Sequence, residues 1–258
     1  MCWTAVGVVF GAFLLGSSAA SRADPHSLEQ WQAEWTQVLQ RHVDAKGRVD
    51  FSGLASDRSG LDSVVRFIAT VDPVSKPAFF PTLAARLAYY VDAYNALAMY
   101  GVLDAGVPRR FNWLDRIRFF YLRKFTLGGR PISLYSLETD IIRAIGDPRV
   151  HFALNCMSVS CPRLPRMAFT ADALDRELDA ATREFVGEDR NVHVDSATRT
   201  VTLSAIFDVY TKDFLAKAPS LIAYVDRYRA DPVPTDYKIT FADYDWTINR
   251  QGRSRGFN

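Results

Sequence analysis

From residue 27 onward, hydrophobic positions recur with either a 3.6-residue or a two-residue period, and these patterns divide the chain into helices and strands. Leu28, Trp31, Trp35, Val38 and Leu39 share one helical face, with Ser27 placed to cap the first turn. Lys46–Ser52 reads as a turn and a short strand, followed by a polar helix over 56–70 that ends before Asp72-Pro73. Residues 82–104 are apolar nearly all round, which predicts a helix buried at the centre of the fold. Phe119–Leu127, Gly128-Gly129 and Arg130–Leu134 spell a strand, a two-residue turn and a return strand. A helix capped by Ser133 or Ser136 then runs to Ile145 and stops at Gly146-Asp147-Pro148. Thr170 is placed to cap a helix over 171–186, and Asn191–Asp195 with Thr200–Leu203 predicts a second hairpin. Ser204 is placed to cap a short aromatic helix over 206–214; another helix follows over 220–229, and Lys238–Phe241 is the last strand. The expected fold is α+β, one domain over 24–250 with helices around short antiparallel strands, and a polar, disordered tail over 251–258.

The first residues follow a different pattern. Trp3–Leu15 is apolar and Gly16–Asp24 is rich in small residues, so 1–23 reads as a signal peptide cut after Ala20 or Ala23. The apolar stretch is shorter than the roughly 20 residues a membrane span needs, so no stable insertion is expected after cleavage. The protein is expected in the periplasm or secreted. Cleavage removes Cys2 and leaves Cys156 and Cys161 in an oxidising compartment. Lys plus Arg number 31 against 29 Asp plus Glu, a net charge of +2, which is too mild for a nucleic-acid reader.

Candidate chemistry concentrates in Arg149–Arg163, which holds His151, Cys156 and Cys161 around a Ser-rich loop closed by Pro162. Two cysteines five apart admit four schemes: a structural disulfide, a nucleophilic cysteine with His151 as base, a redox-cycling pair, or a soft-metal site that includes Met157. The spacing is diagnostic of no particular metal, and no Gly-x-Gly-x-x-Gly or Gly-x-Ser-x-Gly motif calls for a cofactor or a serine nucleophile. If 150–155 is a strand, His151 and Phe152 face opposite ways. Glu138 lies in the first turns of its helix, where the dipole favours a carboxylate, and is a candidate orienter of His151. Asp92 and Asn95 sit three apart on one face of the central helix and either staple neighbouring loops or line a site. Trp31 and Trp35 read as core, while His26 and His42 read as surface residues.

Several of these segments resemble the DUF547 family. They are Tyr89–Leu97, Ser136-Leu-Glu138 with Ile142-Arg143, and Pro148–Pro162. In the same order follow Leu203-Ser-x-Ile-Phe-x-x-Tyr210 with Asp213-Phe214, then Tyr244-Asp-Trp246 with Asn249. The family has no settled activity; its occurrence beside glutaredoxin-like segments favours thiol chemistry. The resemblance implies roles for His151, Asn155, Cys156, Ser160, Cys161 and Pro162, with Tyr94, Asn95 and Glu138. Where many members carry Trp-Ile-Asn, this chain has Tyr90-Val91-Asp92. The expected activity is a thiol-dependent hydrolase or acyltransferase acting on a small-molecule or peptide ligand. Cys156 or Cys161 would attack, His151 would serve as base, Glu138 or Asn95 would orient it, and Asp92, Tyr94, Asn155 and Ser160 would contact substrate. The alternative is a non-catalytic binding module with a Cys156–Cys161 disulfide and a groove lined by Tyr89, Tyr90, Tyr94 and Trp246.

Overall fold

The computed structural model describes residues 27–252. The signal-peptide reading of 1–23 and the tail beyond 252 lie outside the described residues. Helix α1 (Leu28–His42) starts where the Ser27 hydroxyl accepts from the Gln30 N–H at 3.2 Å, the cap read from the sequence. It buries Trp31 and Trp35 completely, and their indole N–H groups donate to the Val64 carbonyl and the Asp92 carboxyl, both at 3.1 Å. The strand expected at 46–52 is reduced to isolated bridges at Val49, antiparallel to Val43 and parallel to Arg250. Asp50 accepts from the Gly53 N–H at 2.9 Å and so starts helix α2 (Phe51–Ser56) where the strand would have continued. The polar helix expected over 56–70 follows as α3 (Ser59–Thr70).

Helix α4 (Leu83–Asp104) is the predicted central helix, capped by Thr82 and buried along almost its whole length. With α1 and α3 it encloses the larger of two apolar cores. After it, the expected strand at 119 is displaced. Asn112 and Asp115 form a reciprocal capping box that nucleates α5 (Trp113–Arg116), and the chain continues as a π-turn over Ile117–Leu122. Only then does β1 (Phe125–Leu127) pair antiparallel with β2 (Arg130–Ile132). Gly128 and Gly129 both take positive φ (54° and 82°), as a two-residue hairpin turn of this hand requires. Ser133 caps α6 (Leu134–Ser136), which widens to a π-turn over Leu137–Ile142 and ends at left-handed Gly146.

Pro148–Phe152 is a 3-10 turn, not a strand, because Asp147 accepts from the Arg149 N–H and Pro148 sets the first helical φ. Helix α7 (Leu174–Gly187) begins later than read, since Thr170 contributes its carbonyl to a turn with Ala173 and not a side-chain cap. Strands β3 (Val192–Asp195) and β4 (Thr200–Leu203) form the predicted hairpin. The chain then crosses over through α8 (Ala205–Val209, capped by Ser204), α9 (Thr211–Leu215) and α10 (Leu221–Val225). It returns as β5 (Lys238–Phe241), which pairs parallel with β4, so this sheet is mixed where antiparallel strands were expected. Phe152, Phe185, Phe207, Phe214 and Tyr224 fill the second core.

The last described residues form a strap. Its bridges run from Thr247 to Arg110, Ile248 to Ser158 and Arg250 to Val49, and Gln251 binds the carbonyls of His42 and Arg48. Gln251, the first residue of the expected tail, is thus bonded to the body of the fold. His42 is buried, not a surface residue. Among the described residues no helix is long and apolar enough to cross a membrane. The architecture is α+β, with helices predominating over two small sheets.

Candidate active site

Phe152 packs in the second core while its neighbours Val150 and Ala153 pack in the first, so the Arg149–Arg163 segment runs along the seam between them. At that seam lies a cavity of about 740 Å³, a size usual for small-ligand sites. Cys156, Cys161, His151, Glu138 and Tyr94 all line it.

The cysteine loop is held by side chains of Asn residues. Asn95, from the buried middle of α4, donates to the Ala153 carbonyl at 2.9 Å and accepts from the Asn155 N–H at 2.8 Å. Asn155 in turn accepts from the Met157 N–H at 2.7 Å and donates to the Pro162 carbonyl at 2.6 Å, closing the loop across its neck. Met157 takes a positive φ of 67° inside it. Ser160 accepts from the Asp245 N–H at 2.8 Å and ties the loop to the strap. Asp92, Asn95, Asn155 and Ser160 are thus scaffold, and none of them lines the cavity. Of the residues read as substrate contacts, only Tyr94 does. Of the four aromatics expected to line a groove, Tyr94 and Trp246 do, whereas Tyr89 is fully buried with its hydroxyl on the Val71 carbonyl.

The two sulfurs are free thiols lying 2.8 Å apart. Cys161 Sγ receives the Cys156 backbone N–H at 3.0 Å, and the Tyr244 and Ser158 hydroxyls stand 3.2 and 3.3 Å from it. Burial opposes a thiolate here, but the contacts from Cys156, Ser158 and Tyr244 outweigh it and bring Cys161 down to about 6. Burial and the neighbouring sulfur push Cys156 well up. Within the pair these contacts favour negative charge on Cys161, the sulfur that faces a backbone N–H, over Cys156.

Glu138 does not orient His151. It accepts from the Tyr94 hydroxyl at 3.1 Å and from the Tyr210 hydroxyl, and burial raises its pKa despite both bonds. The Tyr210 ring stacks on His151 at 3.9 Å, and His151 Nε2 meets Asp213 Oδ2 at 2.8 Å. Arg143 Nε bonds the same oxygen of Asp213 at 2.8 Å. Burial drives His151 down to about 4, more than Asp213 raises it, so the imidazole is neutral above that pH. With Nε2–H donating to Asp213, Nδ1 carries the lone pair. His151 makes no hydrogen bond to either sulfur. Among the described residues no three His, Cys, Asp or Glu side chains are grouped to hold a metal ion.

Tyr210, Asp213, Ser158, Tyr244, Arg143 and Arg116 complete the site without having been assigned roles from the sequence. Tyr210 and Asp213 are three apart, the helical spacing that places two side chains on one face, and that was the available signal. Tyr244 carried no local signal beyond its place in the family resemblance, because the strap brings it to the cysteines from 83 residues away.

No curated protein and no solved structure matches the chain. Residues 82–186 match the family described as a protein of unknown function, DUF547, a span that runs from the cap of α4 through the cysteine loop into α7. Over that span the chain carries a region similar to the DUF547 family.

Proposed function

We propose that the protein is a thiol-dependent hydrolase or acyltransferase with Cys161 as nucleophile. One observation carries this reading: Cys161 Sγ is surrounded by a backbone N–H and two hydroxyls at 3.0–3.3 Å in the wall of a ligand-sized cavity. The N–H and the Tyr244 hydroxyl, which itself accepts from the Ser158 hydroxyl at 3.0 Å, sustain a thiolate without a contacting base. The thiolate adds to the acyl carbon of a bound ester, thioester or amide, forming a C–S bond. Collapse breaks the bond to the leaving group, which takes the proton of the Cys156 thiol. Water, or an acceptor alcohol or amine, then attacks the thioester. Its proton passes to neutral His151 on the cavity wall and on to Cys156, restoring the starting charge.

The 2.8 Å contact between the sulfurs favours a second reading, dithiol–disulfide exchange. Cys161 would attack a substrate disulfide and Cys156 would resolve the mixed disulfide, so that two electrons leave the cysteines and reduce the substrate. The non-catalytic binding module is the remaining alternative, with the same pair bridged.

Alkylation of the native protein as a function of pH, followed by mass spectrometry, tests these readings. The expected result is one fast-reacting thiol, Cys161, with a midpoint well below the ~8.5 of a free cysteine. Absence of any labelling until a reductant is added would sink the acyl-transfer reading and point to a Cys156–Cys161 bridge.

A further inference from the structure

Arg116 has a feature that the thiol chemistry does not use. Its Nε is buried without a hydrogen-bond partner, and among the described residues its guanidinium meets no carboxylate. It lies 4.8 Å from the centroid of Trp246 and lines the same cavity as the cysteines. Asp115, next in sequence, is engaged with the backbone N–H of Asn112 and turned to the helix cap. A cation held over an aromatic face, with an unsatisfied N–H, is poised for an anion that the protein itself does not supply.

The other charged groups on the wall do not compete for that anion. Arg143 is paired with Asp213 at 2.8 Å. Glu138 is held towards its neutral form by burial, so it offers an incoming anion little repulsion. Between Arg116 and the thiols the wall is aromatic: Trp246 packs against Tyr244 with ring centroids 4.4 Å apart and planes tilted by 40°, and the Tyr244 hydroxyl reaches Cys161 Sγ at 3.2 Å. At the mouth, Trp113, Tyr121 and Val209 expose 61%, 49% and 69% of their surface, an apolar rim such as a soluble surface seldom leaves uncovered.

We propose that Arg116 is the specificity residue of the site and that the substrate is an anionic amphiphile. Its apolar body lies along Trp246 and Tyr244, its anionic group binds Arg116, and its reactive carbonyl sits at Cys161. The substrate class rests on the acyl-transfer reading, whereas the anion site does not.

Calorimetric titration with decanoate, decyl phosphate and decanol separates the two. Wild-type protein is expected to bind at least one of the anions about tenfold or more tighter than decanol, the effect of one charge-assisted hydrogen-bonded pair. Whichever anion binds tighter identifies a carboxylate or a phosphate source. R116Q is expected to bring anion and alcohol to within about threefold of each other while keeping decanol binding, which also shows that the variant is folded. R116K, which keeps the charge but loses the planar fork, is expected to fall between them. Equal binding of anion and alcohol by the wild type, or a preference unchanged in R116Q, overturns the proposal. Hydrolysis of an ω-carboxyacyl thioester is followed in parallel. Turnover that survives C161S sinks the nucleophile assignment and leaves the anion site standing, whereas turnover abolished by C161S but indifferent to R116Q sinks only the present inference.

Discussion

Asn95→Ala removes a side chain that never touches the cavity, yet it should weaken both the fold and the nucleophile. Asn95 is 1% exposed, and its amide satisfies the Ala153 carbonyl at 2.9 Å and the Asn155 N–H at 2.8 Å. Truncation leaves both backbone groups buried and unpaired. Each orphaned group costs about 1–3 kcal/mol, so the expected loss is about 2–6 kcal/mol. That is a large part of the ~5–15 kcal/mol by which a domain is usually stable. For a chain of this size each kcal/mol lowers the melting midpoint by about 2–4 °C. Thermal and urea unfolding of the wild type and N95A measure the loss directly. The orphaned groups lie immediately before Cys156, so the loop should also loosen. The donors around Cys161 would then be held less well, and its alkylation midpoint, which those contacts hold down in the intact site, should move up towards that of a free thiol. A loss below about 1 kcal/mol would refute the orphaned-group reasoning. A full loss with an unchanged Cys161 midpoint would refute the claim that this brace positions the thiol.

Y244F deletes a hydroxyl 3.2 Å from Cys161 Sγ and is expected to raise the Cys161 midpoint, read from alkylation rate against pH, with little effect on unfolding. Asp92 is fully buried and burial raises its pKa, hydrogen bonding from the Phe169 backbone and the Trp35 N–H opposing this only in part. Between the unfolded value of ~3.9 and the raised folded value, the native state therefore holds more protons, and Asp92's contribution to stability falls as pH rises through that window. Unfolding of D92N across the acid range should show that slope removed, and an identical slope in both proteins would count against a protonated Asp92. Asp213 raises the pKa of His151 against the effect of burial, so D213A should lower the imidazole below its value of about 4, as NMR titration of the ring would report. A Cβ at Gly128 would stand 2.1 Å from the Asp72 carboxylate, whereas one at Gly129 meets nothing within 4 Å. Both take positive φ, so G128A should destabilise clearly more than G129A in a urea titration.

What the sequence determined by itself was whatever rests on local period and local side-chain bonds. The buried α4, the capped α1, the Gly128-Gly129 hairpin and the β3–β4 hairpin were all legible, because each is encoded within a few turns or residues of itself. The density of His151, Cys156 and Cys161 singled out a loop that lines the cavity, and Glu138 and Tyr94, named beside it, line the same cavity. Local capping overrode the broader pattern at Asp50 and Asn112, where helices replace expected strands. Only the tertiary structure decided which partners those residues take. His151 pairs with Asp213 from 62 positions away, and Tyr244 reaches the cysteines from 88 and 83. Asp92, Asn95 and Asn155 turned from candidate contacts into scaffold once burial was known. The physical reason is that periodicity reports which face of an element is apolar, whereas a hydrogen bond forms with whatever donor or acceptor the packed seam between two cores brings within about 3 Å.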